Sequence, residues 1–108
     1  MKKLLVACML VALSSPVFAG TSAGPVSSYL VSRYGKLFFK AGDTASRPAC
    51  SYNGDWAVDL VGPDGAAGKA ILAVIMAAHA AGKTVQVYGK NNCDVWGDRE
   101  TVEYVVVQ

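Results

Sequence analysis

The chain has 108 residues, of which 53% are hydrophobic and 17% are charged, and its formal net charge at pH 7 is +2. A chain of this length has room for one small domain. Two of the ten basic residues lie within the first three positions, so removal of that segment leaves eight basic and eight acidic residues. This balance argues against nucleic acid as a partner, because nucleic-acid binding depends on a basic surface.

The start of the chain has the pattern of an export signal. Two lysines precede the apolar run Leu4–Leu13, and Val17–Ala19 forms a small-residue cleavage site before Gly20. We therefore predict a signal peptide over residues 1–19 and a single domain over residues 20–108. The expected location of the mature protein is periplasmic or secreted.

The export prediction decides how the three cysteines are interpreted. Cys8 lies within the signal, where the long apolar run disfavours lipid attachment, whereas Cys50 and Cys93 enter an oxidising compartment. We predict that these two residues form a disulfide, which closes a loop of about forty residues and stabilises the fold by roughly 4 kcal/mol. The alternative is two free thiols. No C-x-x-C pair and no cysteine–histidine cluster is present, so we expect no metal and no cofactor.

Short alternating segments predict a mainly β domain. Residues 20–25 are small and predict a disordered start. The predicted strands are Val26–Tyr34, Lys36–Ala41, Trp56–Val61, Thr84–Tyr88 and Glu100–Val107, with a turn at Asn53–Asp55. The last four residues of the fifth strand lose their alternation. We therefore expect that end either to be buried on both faces or to lie at a subunit contact.

The most apolar stretch lies between the third and fourth strands. From Ala70 to Ala81 every residue is apolar except His79, and Gly82 is a natural left-handed stop for a helix. These twelve residues are too few to span a bilayer. We therefore predict a helix that is covered on several sides, because it has almost no polar face.

The sequence offers little support for catalysis. His79 is the only histidine, and it lies within the apolar helix without a second histidine or a neighbouring acid to orient it. Asp55 with Asp59, and Asp94 with Asp98, are close in sequence, but carboxylates in turns and strands are mostly solvated. The glycine-rich run before the helix departs from a phosphate-binding loop in both spacing and residue type. We expect no catalytic residue and no enzymatic activity.

The loop Gly89–Asp98 is the most polar and turn-rich part of the mature chain. Amides and carboxylates that bond hydroxyls, beside an indole face, suit a sugar ring, and Tyr52 and Trp56 can extend such a surface. The predicted ligand-binding residues are Asn92, Asp94 and Trp96. The competing interpretation is that both tryptophans cap the core near the disulfide.

The run from Lys69 to Val107 resembles the second half of the small B subunits of pentameric bacterial toxins, in which an apolar-faced helix leads into a strand, a loop and a last strand. Pro48-Ala49-Cys50 ahead of a tryptophan strand is similar to the subtilase-cytotoxin type. The resemblance implies an α+β, mainly β fold: a five-stranded OB-like barrel with one helix between strands three and four and one disulfide. Such barrels bind oligonucleotides or oligosaccharides, and export with a balanced charge favours oligosaccharides.

Two functional hypotheses follow from these observations. The first is an exported, non-catalytic module that binds glycans and assembles as a ring through its helix and strand edges. The second is a small periplasmic structural or inhibitor-like protein that binds another protein. A hydrolase that uses His79 or Asp94 is a third alternative. The resemblance does not extend to a toxin function, since no sugar-binding residue of those B subunits can be matched to a position in this chain.

Overall fold

The structure is a computed structural model that describes residues 19–52 and 54–108. The signal peptide predicted over residues 1–19 lies outside the described residues except for Ala19. Asn53, at the start of the predicted turn before the third strand, also lies outside them.

The described chain is mainly β and contains one helix, as the sequence predicts. Its elements are β1 (Thr21–Val31), β2 (Lys36–Ala41), β3 (Thr44–Ala45), β4 (Trp56–Asp59), α1 (Gly65–Ala81), β5 (Thr84–Gly89) and β6 (Glu100–Val107). The observed bounds of β2 and β6 equal the predicted ones. Among the described residues, no helix has the length and apolar character needed to cross a membrane.

Five strands pair in a ring. β1 pairs with β2, β2 with β4, β6 with β5, and β5 with β1, all antiparallel, while the β4–β6 pair is parallel. β1 is long enough to pair with two neighbours. Its first five residues pair with β5, and residues 26–31 pair with β2. A register shift between Val26 and Ser28 separates the two halves of β1, as expected where a strand bends from one partner to the next.

The start of the domain is ordered, so the prediction of a disordered segment over residues 20–25 is wrong. Residues 21–25 form the first half of β1 and pair with β5, and the carbonyl of Gly20 just before them accepts a hydrogen bond from Gly89 of β5. Their small side chains permit a close approach between backbones: a Cβ atom on Gly24 would lie 2.8 Å from the Cα of Gly42. Composition indicated flexibility here, but the same small residues are what this close packing requires.

The position predicted for the helix, between the third and fourth strands, is also wrong in chain order. Thr44 and Ala45 form a two-residue strand, β3, against Ser22 and Thr21, so the helix follows the fourth strand. A two-residue strand is too short to show an alternating pattern, so the sequence predicts a loop for this segment.

The core lies inside the ring of strands and against one side of α1. Its buried members are Val26, Leu37, Phe39, Ala41, Trp56, Val58, Leu60, Ile75, Ala78, Val85, Val87 and Val102. Trp56 is fully buried, and its Nε1–H donates a hydrogen bond of 2.9 Å to Oγ of Ser22 on β1. This bond satisfies the indole N–H inside an apolar surrounding.

The helix α1 is covered on one side only, so the prediction of cover on several sides is wrong for the single chain. α1 ends at Gly82, which has a left-handed backbone with φ of 64°. Its buried residues are Gly65, Gly68, Ile75 and Ala78, while Val74 and Met76 are 37% and 47% exposed. The end of β6 is not buried on both faces either, since Tyr104, Val106 and Val107 are 41–50% exposed. The ring of strands is too small to enclose either element.

The disulfide between Cys50 and Cys93 is confirmed. The two sulfur atoms are 2.09 Å apart, and the two Cα atoms are 6.2 Å apart. The bridge joins the segment before β4 to the loop between β5 and β6. Beside it, the backbone N–H of Tyr52 donates to the carbonyl of Asp98 at 3.0 Å, so the two segments are held together at two points.

Candidate binding surface

The loop between β5 and β6 places Trp96 against the outer side of β2. The indole of Trp96 lies edge-on to the ring of Phe38, with centroids 5.1 Å apart and an interplanar angle of 69°. It also lies 6.1 Å from the ring of Tyr34, in the turn between β1 and β2. Leu37 and Phe39 point into the core, so Phe38 between them points outward. We call Tyr34, Phe38 and Trp96 the aromatic cluster.

The members of the aromatic cluster differ in exposure. Phe38 is 6% exposed because Trp96 covers it, although it does not belong to the central core. Trp96 itself is half-buried, and Tyr34 is 59% exposed. The cluster therefore has a buried base and an accessible aromatic rim.

Two arginines lie on the aromatic cluster. The guanidinium carbon of Arg99 is 4.4 Å from the centroid of Phe38, and that of Arg33 is 5.1 Å from the centroid of Tyr34. Arg33 Nη2 also donates to the hydroxyl of Tyr34 at 3.3 Å. Both positions allow cation–π attraction, and Arg33, which is exposed, leaves guanidinium donors beside the accessible ring of Tyr34.

The predicted site residues have different roles in this loop. The side-chain oxygen of Asn92 accepts the backbone N–H of Asp94 at 3.2 Å, and its carbonyl accepts the N–H of Thr101 at 2.8 Å. Asn92 thus shapes the turn, as asparagine does in Asx turns. Asp94 is exposed on that turn. Trp96 lies on the aromatic cluster.

The other two aromatic candidates, Trp56 and Tyr52, differ in their exposure to solvent. Trp56 lies in the core and cannot contact a ligand, so its suggested contribution to the site is wrong. Tyr52 is 74% exposed and lies beside the disulfide. The interpretation that both tryptophans cap the core therefore holds for Trp56 and not for Trp96, which covers the outward-facing Phe38.

Sequence reasoning missed Arg33, Tyr34, Phe38 and Arg99. A signal was available for three of them. Arg33 and Tyr34 sit beside Gly35 in the turn between two strands, where exposed side chains cluster, and Phe38 breaks the alternation expected of a strand with one polar face. The position of Arg99 over Phe38 could not be predicted, because it depends on the path of the loop.

His79 has a packing role in the structure. Its Nδ1 lies 3.0 Å from the carbonyl oxygen of Val26, and because a carbonyl only accepts, Nδ1 carries the hydrogen. The ring also packs edge-on against Tyr29 with centroids 5.4 Å apart. These contacts join the last turns of α1 to β1.

Two of the four carboxylates considered for catalysis, Asp55 and Asp59, take part in ion pairs. Asp59 Oδ1 lies 2.9 Å from Lys36 Nζ, and Asp55 Oδ2 lies 3.7 Å from Arg99 Nε. The hydrogen bond from Lys36, followed by that from the backbone N–H of Val61, lowers the pKa of Asp59 below its ordinary value of 3.8. Within residues 19–52 and 54–108, no group of histidine, cysteine and acidic side chains is arranged to hold a metal ion.

Comparison with known proteins gives no relative for this chain: no protein-family model matches it, and neither curated proteins nor solved structures give a significant match.

Proposed function

We propose that this protein is an exported, non-catalytic binding module with an OB-like barrel, and that it binds an oligosaccharide at the aromatic cluster. The pairing order supports the barrel. When the two-residue β3 is set aside, the five ring strands carry the helix between the third and the fourth, and each strand has two neighbours. Such closure leaves no free edge along the paired segments.

The observation that carries the proposal is the position of the aromatic cluster on this ring. OB barrels bind oligosaccharides and oligonucleotides on the face of strands two and three, with the loop between strands one and two and the loop between strands four and five. Tyr34 lies in the first of these loops, Phe38 on the second strand, and Trp96 in the other loop. Three separate segments thus meet at the place where that fold binds its ligands.

The chemistry of the aromatic cluster fits a sugar. The accessible rim of Tyr34 and Trp96 can pack against the apolar face of a pyranose ring. The exposed Arg33 supplies donors for sugar hydroxyls, and the exposed Asp94 supplies an acceptor. The balanced charge of residues 20–108 favours a sugar over the polyanionic backbone of a nucleic acid.

A glycan array with the chain 20–108 tests this proposal. Tyr34→Ala removes an exposed ring, so we expect the fold to persist while the affinity for a bound glycan falls by about tenfold or more. Tyr104→Ala is the matched control, because Tyr104 is 50% exposed on β6 and stacks on Tyr88 away from the cluster. An array without hits, or equal binding by Tyr34→Ala and the wild type, contradicts the proposal. Binding of a single-stranded oligonucleotide in place of a glycan contradicts the assigned ligand.

The module also assembles with copies of itself through the uncovered side of α1, which we call the helix surface. Its exposed residues are Ala70, Ala73, Val74, Ala77 and Ala81 together with Val107 of β6. Small side chains let two helices approach closely. In an antiparallel pair, the exposed Asp64 end of one helix lies beside the exposed Lys83 end of the other. These features support a second copy as the occupant.

Sedimentation at several concentrations tests this assembly. Ala77→Glu puts a charge at the centre of the helix surface, and we expect it to make the protein monomeric. Met76→Glu is the control: Met76 is 47% exposed but lies about 100° around the helix from Ala77. A monomeric wild type contradicts the assembly.

A second function, the binding of another protein without a glycan, is favoured by the same helix surface. Capture of one stoichiometric protein partner by the wild type, lost in Ala77→Glu and retained in Tyr34→Ala, would support it over glycan binding.

A further inference from the structure

Glu100 is the one charged side chain buried among the described residues, and it is 1% exposed. The N–H of Gly20 lies 3.1 Å from its Oε1 and 3.0 Å from its Oε2, and the N–H of Asn91 lies 2.9 Å from Oε2. Neither of the two ion pairs found among the described residues includes this carboxylate. A buried carboxylate that has only amide donors lacks a compensating charge, which makes its burial unfavourable.

Gly20 follows the cleavage site that the sequence predicts. It is buried, and its carbonyl accepts the N–H of Gly89 at 3.0 Å. Its position immediately before β1 is therefore held by the sheet. The nitrogen that contacts Glu100 is the same atom that becomes the new amino terminus when the signal is removed.

We infer that cleavage between Ala19 and Gly20 creates the positive partner of Glu100. An export protease adds water across this peptide bond, so that the water oxygen joins the Ala19 carboxylate and the Gly20 nitrogen becomes an amine. An α-amino group is mostly protonated at neutral pH. The nitrogen–oxygen distances of 3.0 and 3.1 Å already lie within the range of an ion pair, so the buried pair forms without movement of β1.

The space around the carboxylate suits only a glycine at this terminus. A Cβ atom on Gly20 would overlap Oε1 of Glu100, and a Cβ atom on Gly89 would overlap Oε2. The two glycines thus form the walls of the site, which accepts a bare α-ammonium group. Cleavage at a neighbouring bond places the charge elsewhere and leaves Glu100 unpaired.

This ion pair makes the mature fold more stable than that of the uncleaved chain. Before cleavage, the Gly20 amide gives Glu100 a hydrogen bond but no charge. After cleavage, each carboxylate oxygen can accept a separate N–H hydrogen bond from the ammonium group, which keeps its protons, and the positive charge compensates the buried negative one. Removal of the signal therefore gives the buried Glu100 the opposite charge that it lacks in the uncleaved chain.

Three chains test the inference: one that begins at Gly20, one that begins at Ala19, and one that begins at Gly20 with an acetylated amine. We expect the free Gly20 chain to have an unfolding equilibrium constant at least about tenfold smaller than either of the others. In the Glu100→Gln background this difference should disappear. In the Glu103→Gln background it should remain, because Glu103 is an exposed carboxylate on the same strand.

A second measurement does not depend on the folding of Glu100→Gln. The α-amine of the folded Gly20 chain should react with an amine-labelling reagent at least about tenfold more slowly than that of the Ala19 chain, since it is buried and charged. N-terminal analysis of the exported protein should give Gly20 as its first residue. Equal stabilities of the three chains, equal labelling rates, or a different first residue would overturn the inference.

Discussion

The indole of Trp96 stands edge-on over the ring of Phe38, with 5.1 Å between the two centroids. Phe38 belongs to β2 and faces away from the core, so the loop between β5 and β6 must fold across the outside of the ring of strands to reach it. The disulfide at Cys93 and the turn at Asn92 hold the loop on this path. An exposed aromatic surface is thus attached to a rigid support.

The contact between Trp96 and Phe38 should also contribute to stability. Trp96→Ala uncovers Phe38, and we expect a loss of about 2 kcal/mol in the free energy of unfolding, measured with urea. Trp96→Phe keeps an aromatic cover and should cost less than about 1 kcal/mol. Equal losses for the two variants would mean that the ring of Trp96 does not stabilise this loop.

The hydrogen bond from Trp56 to Ser22 should contribute measurably to the stability of the fold. Ser22→Ala leaves the buried indole N–H of Trp56 without an acceptor, and we expect a loss of about 1–3 kcal/mol in the free energy of unfolding. Ser27→Ala is the control, because Ser27 is exposed and its hydroxyl makes only a long bond of 3.4 Å to the carbonyl of Lys40. The control should change stability by less than about 0.5 kcal/mol. A similar loss in both variants contradicts the argument.

Reduction of the disulfide should destabilise the domain. Cys50 and Cys93 are 43 residues apart, and the chain-entropy estimate for a loop of this size is about 4 kcal/mol. We expect the double variant Cys50→Ser/Cys93→Ser to have the same lowered melting temperature as the reduced wild type. If the reductant lowers the melting temperature of the double variant as well, the shift does not come from this bridge.

The ion pair between Asp59 and Lys36 predicts a defined pH dependence. Because the folded-state pKa of Asp59 lies below 3.8, its contribution to stability is present above that value and is lost as the pH falls through the folded-state pKa. Asp59→Asn should therefore be less stable than the wild type by up to about 1 kcal/mol between pH 5 and 7. The difference should shrink below about pH 4. A difference that is the same at pH 3 and pH 7 would show that charge is not its cause.

The local patterns of the chain determined its element types. The aromatic and β-branched residues of KLFFKA and ETVEYVVV predict β2 and β6 with their observed bounds, and the apolar run that stops before Gly82 predicts α1. The pairing of Cys50 with Cys93 also followed from the sequence, since the two cysteines that follow the predicted signal peptide allow only one intramolecular connectivity. Trp96 was recognised as a site candidate because an indole in a polar loop is conspicuous.

Only the tertiary structure decided which distant residues meet. Nothing local to Gly20 and Glu100 indicates that they touch, 80 positions apart. The same is true of Tyr34, Phe38 and Trp96, which come from three segments. The exposed side of α1 was missed for a related reason: its composition shows that it is apolar, but the size of the sheet beneath it determines how much is covered. Such contacts depend on strand register and on the path of loops, and these are set by the whole chain packing at once rather than by any short stretch of sequence.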